Sequence, residues 1–507
     1  MKQIYDYFNG EFKLDSISLA EQKEFFEEAA NKLKVPLFKL RDIHKETALL
    51  LSVEQMLHFG AIVVENKENK LVIALKNPLD KTHQDTLRML FRDFLIKFGL
   101  IAKEDFKEAI LWLKGQERLK EILEQIPYEI TKDSKGEHSS ILELVKLVLQ
   151  EAVYKRASDV HFEKDFESLR IRFRIDGVLV EYLCLEDWLL NPLSSCIKLL
   201  SHLNITETKI PQDGRFSLGL EIRGGEQRIF DFRVSTLPLI EGESIVLRIL
   251  DKQKTLIPLE HLGFSSSELE SIVELFNLPY GLVFITGPTG SGKSTTMYGI
   301  LNILKERNLK IITLEDPVEY RLKHISQVAM SDKISFAGAL RNVLRQDPDV
   351  IILGEVRDKE TLQIAIQAAF TGHLVFATLH TNDSLDTIVR LLDMGLEPYF
   401  IAQSLSGIIA QRLLRKLCIY CREKQNEGYV SRGCEACNYT GYNTREAIAE
   451  ILVMNQDLED FIFKKIEKTQ ILSRLEQANP NFTLIKKAFN KAECGITDLK
   501  EVYRVVK

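Results

Sequence analysis

The sequence predicts a multidomain α/β protein, and three observations carry that prediction. A glycine-rich stretch, "GPTGSGKST" (287–295), directly follows the apolar run "GLVFIT". Beyond it, strand-like segments alternate with helix-like ones, which is the pattern of a parallel sheet. Upstream lie two segments of different patterning, in a chain of 507 residues, long enough for three or four domains at roughly 100–200 residues each.

The elements follow in order. Residues 1–130 are rich in Lys, Glu, Leu and Phe, with helical spacing in "AEQKEFFEEAANKLK" and two strands around a polar turn in "AIVVENKENKLVIAL". They form the expected N-terminal αβ domain. The polar, aperiodic "TKDSKGEHSS" (131–140) is the expected linker. Ser140, with Glu143 three residues on, predicts a capping box at the start of the helix "ILELVKLVLQEAVYKR". Alternating strands follow in "SDVHFEK", "LRIRFRIDG", "RIFDFRVST" and "SIVLRIL", giving a small α+β domain over 141–252. The α/β core spans 253–455, and 456–507 reads as charged helices.

Composition narrows the function classes. Hydrophobic residues make up 45% and charged residues 28%, ordinary for a globular protein. With a net charge of -6 there is no general basic character, and no direct nucleic-acid binding is expected. Apolar runs stay well short of the ~20 residues that span a bilayer, and the start "MKQIYDYFNGEFKLDS" lacks a signal-peptide core. A cytoplasmic protein is expected, with any membrane role carried by a partner.

Gly287, Gly292, Lys293 and Ser294 fit G-x-x-x-x-G-K-[ST]. In such a loop, here Gly287, Pro288, Thr289, Gly290, Ser291, Gly292, Lys293, Ser294 and Thr295, backbone N–H groups approach phosphate. Lys293 meets the outer phosphates, Ser294 ligates Mg²⁺, and the following helix adds its dipole. A nucleoside triphosphate is expected, ATP or GTP as far as the loop alone goes. Two strands then end in acids: "DVIILGE" in Glu355, and "KIITLEDPVEY" in Glu315, Asp316 and Glu319. Hydrolysis needs one acid to hold Mg²⁺ through water and another to orient the attacking water.

Seven cysteines divide unevenly: Cys184, Cys196 and Cys494 are scattered. Cys418, Cys421, Cys434 and Cys437 read as C-x₂-C-x₁₂-C-x₂-C, two tight turns that complete a tetrahedral Zn²⁺ shell in a lobe over 415–442.

From about residue 140 to 507 the chain resembles the ATPases of type II secretion and type IV pilus assembly. The resemblance rests on "ASDVHFE" (157–163), "PQDGR" (211–215), "RVSTLP" (233–238), the phosphate loop, "TLEDPVEY" (313–320), "LRQDPDVIILGEVRD" (344–358) and "TGHLVFATLHTND" (371–383). It implies a RecA-like core preceded by a PAS-like domain, assembled as a homohexamer that uses ATP. By the same resemblance Glu319 is the general base or water-orienting acid, and Glu355 supports Mg²⁺. His373 and His380 sense the nucleotide or couple it to motion, although both flank the apolar strand "LVFATL" and also read as buried structural histidines. Arg233 and Arg248 reach the nucleotide, with surface salt bridges as the other reading. Arg248 shares its strand face with Val246 and Leu250, an awkward place for an unpaired charge. The tetracysteine module marks the assembly branch, whose members work peripherally at the inner membrane through docking proteins and a membrane platform. Secretion, pilus extension and DNA uptake remain open as the pathway. A nucleotide-regulated scaffold with little hydrolysis is the alternative to a motor.

Overall fold

The apolar runs and the alternating runs of the sequence form different sheets. The computed structural model describes residues 2–9, 19–39, 42–67, 69–132, 139–222, 226–250, 257–331, 334–425, 428–434, 437, 439–464 and 467–506. Residues 133–138 of the expected linker, and the expected boundary at 252, lie outside these. The chain divides into two units. One comprises Met1–Tyr154, Glu186–Ile210 and Leu239–Glu243, and the other Lys155–Leu185, Pro211–Pro238 and Ser244–Lys507.

In the first unit, β1 (Leu37–Phe38), β2 (Ala61–Lys67), β3 (Lys70–Leu75) and β4 (Leu95–Ile101) form a sheet in the order β1-β4-β3-β2. The hairpin foreseen in "AIVVENKENKLVIAL" is the antiparallel β2–β3 pair. Helix Lys103–Lys132 packs on helix Ser139–Tyr154. That contact displaces the expected capping box. The Ser140 hydroxyl donates to Glu129 Oε1 at 2.6 Å, and Glu143 pairs with Arg118. Partners from a neighbouring helix have replaced the local ones.

Strands β5 (Ala157–Asp165), β6 (Ser168–Ile175), β7 (Val178–Glu186), β8 (Gln212–Glu221), β9 (Gln227–Leu239) and β10 (Gly242–Leu250) form an antiparallel sheet ordered β7-β6-β5-β10-β9-β8. Alternation gives it one apolar face, which includes Phe162, Ile171, Phe232 and Leu247, all at 0% exposure. The opposite face carries Asp159, His161, Arg172, Arg233 and Arg248.

The core sheet is built from β11 (Gly281–Thr286), β12 (Ile311–Glu315), β13 (Ser326–Ala329), β14 (Val350–Leu353), β15 (Leu374–Leu379), β16 (Leu405–Leu417) and β19 (Tyr442–Val453), ordered β13-β12-β14-β15-β11-β16-β19. All neighbours run parallel except β19, which is antiparallel to β16. Strands covered on both sides read as continuous apolar runs. Leu282 and Phe284 accordingly enter one core while Val283 and Ile285 enter the other. A small hairpin of β17 (Arg422–Gln425) and β18 (Gly428–Ser431) is inserted between β16 and β19.

Gly407 in β16 lets helix Ser266–Phe276 approach the sheet. A Cβ there would lie 2.4 Å from Leu275 Cδ2 and 2.8 Å from the Leu452 carbonyl oxygen. Because the backbone oxygen cannot step aside, Gly407→Ala should lower stability by ~1–3 kcal/mol. Denaturant unfolding checks this, and an unchanged midpoint would contradict it.

Candidate nucleotide site and cysteine cluster

The loop after β11 turns on glycines. Gly287, Gly290 and Gly292 have φ of 144°, 79° and 90°, values that L side chains rarely adopt. A Cβ on Gly287 would also lie 2.5 Å from the Gln411 carbonyl oxygen. Pro288, Thr289, Gly290, Ser294 and Thr295 are exposed, and Ser291 is buried. Gly292 leads into helix Lys293–Leu304, so its first N–H groups face the loop.

Gln411, fully buried on β16, clamps this loop. Its Nε2 donates to the Ser291 carbonyl at 2.9 Å, and its Oε1 accepts from the Thr296 hydroxyl at 2.7 Å. Lys293 Nζ donates to the Gly287 carbonyl at 2.7 Å and the Pro288 carbonyl at 3.2 Å. Burial lowers the Lys293 ammonium to about 8, with Arg412 adding to the shift and Glu355 opposing it.

Beside the loop, a cavity of about 110 Å³ gathers Ser294, Glu315, Asp316, Glu319 and Glu355. Strand order explains the gathering, since β12 and β14 end on the same edge as β11. Glu315 is buried and serves the scaffold. It accepts from the Tyr298 hydroxyl, from Thr313 Oγ1 at 2.6 Å and from Gln327 Nε2 at 3.0 Å. Tyr298 in turn accepts from the N–H groups of Glu319 and Tyr320, each at 3.2 Å, which fixes the backbone carrying Glu319. Burial raises the Glu319 carboxyl above its ordinary value and Glu315 adds to the rise, while Arg233 and Arg248 pull it down. Sequence reasoning named Glu319 and Glu355 but gave no role to Gln411, Tyr298 or Gln327, whose signals are ordinary residues in core elements.

The two histidines separate. His380 follows β15 at the loop edge, with Nε2 3.4 Å from Glu355 Oε1. Burial and the nearby Lys293 lower its pKa. His373 precedes β15 at the opposite edge, where its Nδ1 lies 2.9 Å from the Ala368 carbonyl oxygen and its carbonyl accepts from the Gly281 N–H. The strand between them puts about 20 Å between His373 and the loop. Within one chain the fold does not bring His373 to the nucleotide site.

Arg233 lies on the charged face of the antiparallel sheet, near Arg248 and Arg215, and feels Glu319 and Asp316. Arg248 is paired: its Nε donates to Asp159 Oδ1 at 2.9 Å. Its side chain is 58% exposed, so the strand face it shares with Val246 is the open one and no charge is stranded in the core.

This arrangement is that of a P-loop triphosphatase. The sequence profile of the family described as type II/IV secretion system protein matches residues 134–504, and that of the MshEN domain matches residues 33–119. The chain belongs to the type II/IV secretion system protein family. It is an ATPase of the kind that drives secretion or pilus assembly. Type II secretion system protein E of Dickeya dadantii (strain 3937) is 43% identical over 384 residues, covering 72% of this chain and 76% of that protein. Its counterpart in Aeromonas hydrophila is 36% identical over 484 residues, covering 89% and 95%. The crystal structure of the pilus retraction motor PilT with bound ADP superposes with a TM-score of 0.50 and 28% identity, over 71% of this chain and 96% of that one.

Between β16 and β19 the chain gathers four thiols. Sγ atoms of Cys418, Cys421, Cys434 and Cys437 all lie within 4.8 Å of one another. Cys418–Cys434 is 3.7 Å and Cys421–Cys437 is 3.8 Å, against the ~3.8 Å edge of a tetrahedron with ~2.3 Å zinc–sulfur bonds. The Cys434 N–H donates to Cys437 Sγ at 3.1 Å and the Gly441 N–H at 3.3 Å, as suits a thiolate. The thiols therefore fit a closed, four-coordinate metal.

We propose that Lys293 makes nucleotide binding pH-dependent. Its ammonium is charged below about 8 in the free protein, so affinity is full below that pH and falls as pH rises through it. Fluorescent-nucleotide titration from about pH 7 to about pH 9.5 checks this. Constant affinity across the range would contradict it.

Proposed function

We propose that this chain is a homohexameric motor that hydrolyses ATP with Mg²⁺ and spends the free energy on assembling a pseudopilus or type IV pilus. The observation that carries the reading is the single cavity shared by Ser294, Glu319 and Glu355. The oxygen donors of Ser294 and Glu355 suit Mg²⁺. Bound there, the ion neutralises charge on the outer phosphates. Lys293 exchanges its loop carbonyls for those phosphates. Glu319, held by its backbone on Tyr298, orients the attacking water and takes its proton. Arg233 and Arg248 supply positive charge on the Glu319 side, where charge moves in the transition state. His380, beside Glu355, reports the occupancy of the site. Coupling by His373 requires a contact outside its own chain. Glu319 and Glu355 together favour a motor over a scaffold that only binds nucleotide.

Glu319→Gln keeps the shape of the side chain but removes the base. ATP binding should persist while turnover falls by ~10²–10⁴-fold. If Glu319→Gln turns over normally and Glu355→Gln alone does not, the two roles are exchanged.

Zn²⁺ on the four thiols staples the ends of β16 and β19. Metal analysis should find one zinc per chain, and Cys434→Ser should release it and loosen the lobe, since such sites supply folding energy. Protein with native stability and no metal would remove the zinc.

No helix among the described residues is long and apolar enough to cross a membrane. Attachment to an inner-membrane platform therefore falls to a docking partner, with the MshEN region as the handle. Deleting residues 1–101 spares helix Lys103–Lys132. That truncation should keep ATPase activity and lose the membrane fraction. A truncated protein that still pellets with membranes would place docking elsewhere.

A further inference from the structure

Arg248 is not a free arginine, and the way it is held bears on catalysis. It sits on β10 directly across from Asp159 on β5, the two being register partners. Asp159 is only 5% exposed, although it lies on the charged face of the sheet. Its Oδ1 accepts from Arg248 Nε at 2.9 Å, its Oδ2 accepts from the Ser158 hydroxyl at 2.8 Å, and Arg174 Nε stands 3.8 Å away. The β5–β6 register shifts between Ala157 and Asp159. Such an irregularity re-aims side chains locally.

The atom used decides what the pair can do. A carboxylate that closes on both terminal nitrogens would consume the guanidinium fork. Here Asp159 takes the Nε edge, which leaves the Nη pair for a bidentate anion such as phosphate. The side chain of Arg248 is 58% exposed while its anchor is buried, so the head is pinned at one end and open at the other.

We infer that Asp159 is a positioning residue, which holds Arg248 with its Nη edge turned toward the nucleotide's outer phosphates. The inference rests on the reading of Arg248 as a transition-state charge in ATP hydrolysis. Asp159 removes rotamer freedom that Arg248 would otherwise lose at the moment of reaction. The influence of Arg248 on Glu319 puts the guanidinium within electrostatic reach of the acid that orients water. A purely structural ion pair would instead act on the stability of the sheet, with no dependence on what Arg248 does.

A double-mutant cycle separates the two roles. Steady-state ATP hydrolysis by the full-length protein is measured for Asp159→Asn, Arg248→Ala and the double variant, with nucleotide affinity as the check on folding. Asp159→Asn should lower kcat by about 10²-fold and leave the KM for ATP within about twofold of wild type. In the Arg248→Ala background the same substitution should have almost no further effect, since the group it positions is gone. Equal losses in both backgrounds would overturn the positioning role while leaving Arg248 as a transition-state residue. Wild-type turnover in Arg248→Ala would overturn the reading of Arg248 and this inference with it. Should Asp159→Asn lose nucleotide affinity, Asp159→Glu supplies the comparison, and failure of this longer carboxylate to restore any turnover over Asp159→Asn would also count against positioning.

Discussion

A loop that offers most of its backbone N–H groups to phosphate has few left to hold itself: the Ser291 N–H turns back to the Pro288 carbonyl and Lys293 to two loop carbonyls, and the rest of the hold comes from outside. Gln411 supplies the hold. Its amide grips the Ser291 carbonyl on one side and the Thr296 hydroxyl on the other. It can do so because β16 lies directly beside β11 in the sheet. Gly287 permits the approach, for any side chain there would strike the Gln411 carbonyl. The longest strand of the core sheet thus helps to fix the phosphate loop. Arg412, the next residue, extends the hold by donating to the Asn382 carbonyl at 2.6 Å, just beyond His380. Loop, the segment just after His380 and β16 are thereby fixed in one hydrogen-bonded group.

The acids are divided by the same logic of buried polar groups. Glu315 is enclosed and spends its oxygens on Tyr298, Thr313 and Gln327, which fixes the segment after β12. Glu319 lies beyond that anchor, lines the cavity, and is pulled in opposite directions by burial and by two arginines. A carboxylate poised between such influences titrates closer to working pH than an ordinary one, which a base requires. The arginines come from a different sheet, so completing the site depends on how the antiparallel sheet and the core are held. On the proposed role of Arg248, the acid that fixes it belongs to the site as the loop does.

Much of this was legible in the sequence, and the reasons differ by feature. The phosphate loop was readable because its glycines answer a backbone requirement and its lysine a charge requirement, both local. The strand-end acids were readable as a group, because apolar runs mark strand ends and parallel strands deliver their ends to one edge; singling out Glu319 and Glu355 rested on the family resemblance. The tetracysteine spacing was readable because two tight turns suffice to bring four thiols together. What resisted was long-range. Gln411 lies 120 residues from Ser291, and nothing in "AQRLL" marks it as a clamp. Ser140 and Glu143 carried a capping pattern, yet Glu129 and Arg118 took their places because a neighbouring helix was nearer than the local N–H groups. Arg248 looked stranded because its partner Asp159 stands 89 residues away in the chain. The histidines showed the converse: close in sequence, they are held apart by the strand between them.

Glu319, raised by its surroundings, is the proposed base of the ATP-hydrolysing site. The decisive measurement is the pH dependence of kcat/KM for ATP hydrolysis, which reports the free protein's base. A base must be unprotonated to act, and burial raises Glu319 above the ordinary carboxylate value of 4.5. With Glu319 as the base, kcat/KM should fall on acidification along a limb whose midpoint lies above that value. A kcat/KM that stays constant as pH falls to 4.5 would contradict that role.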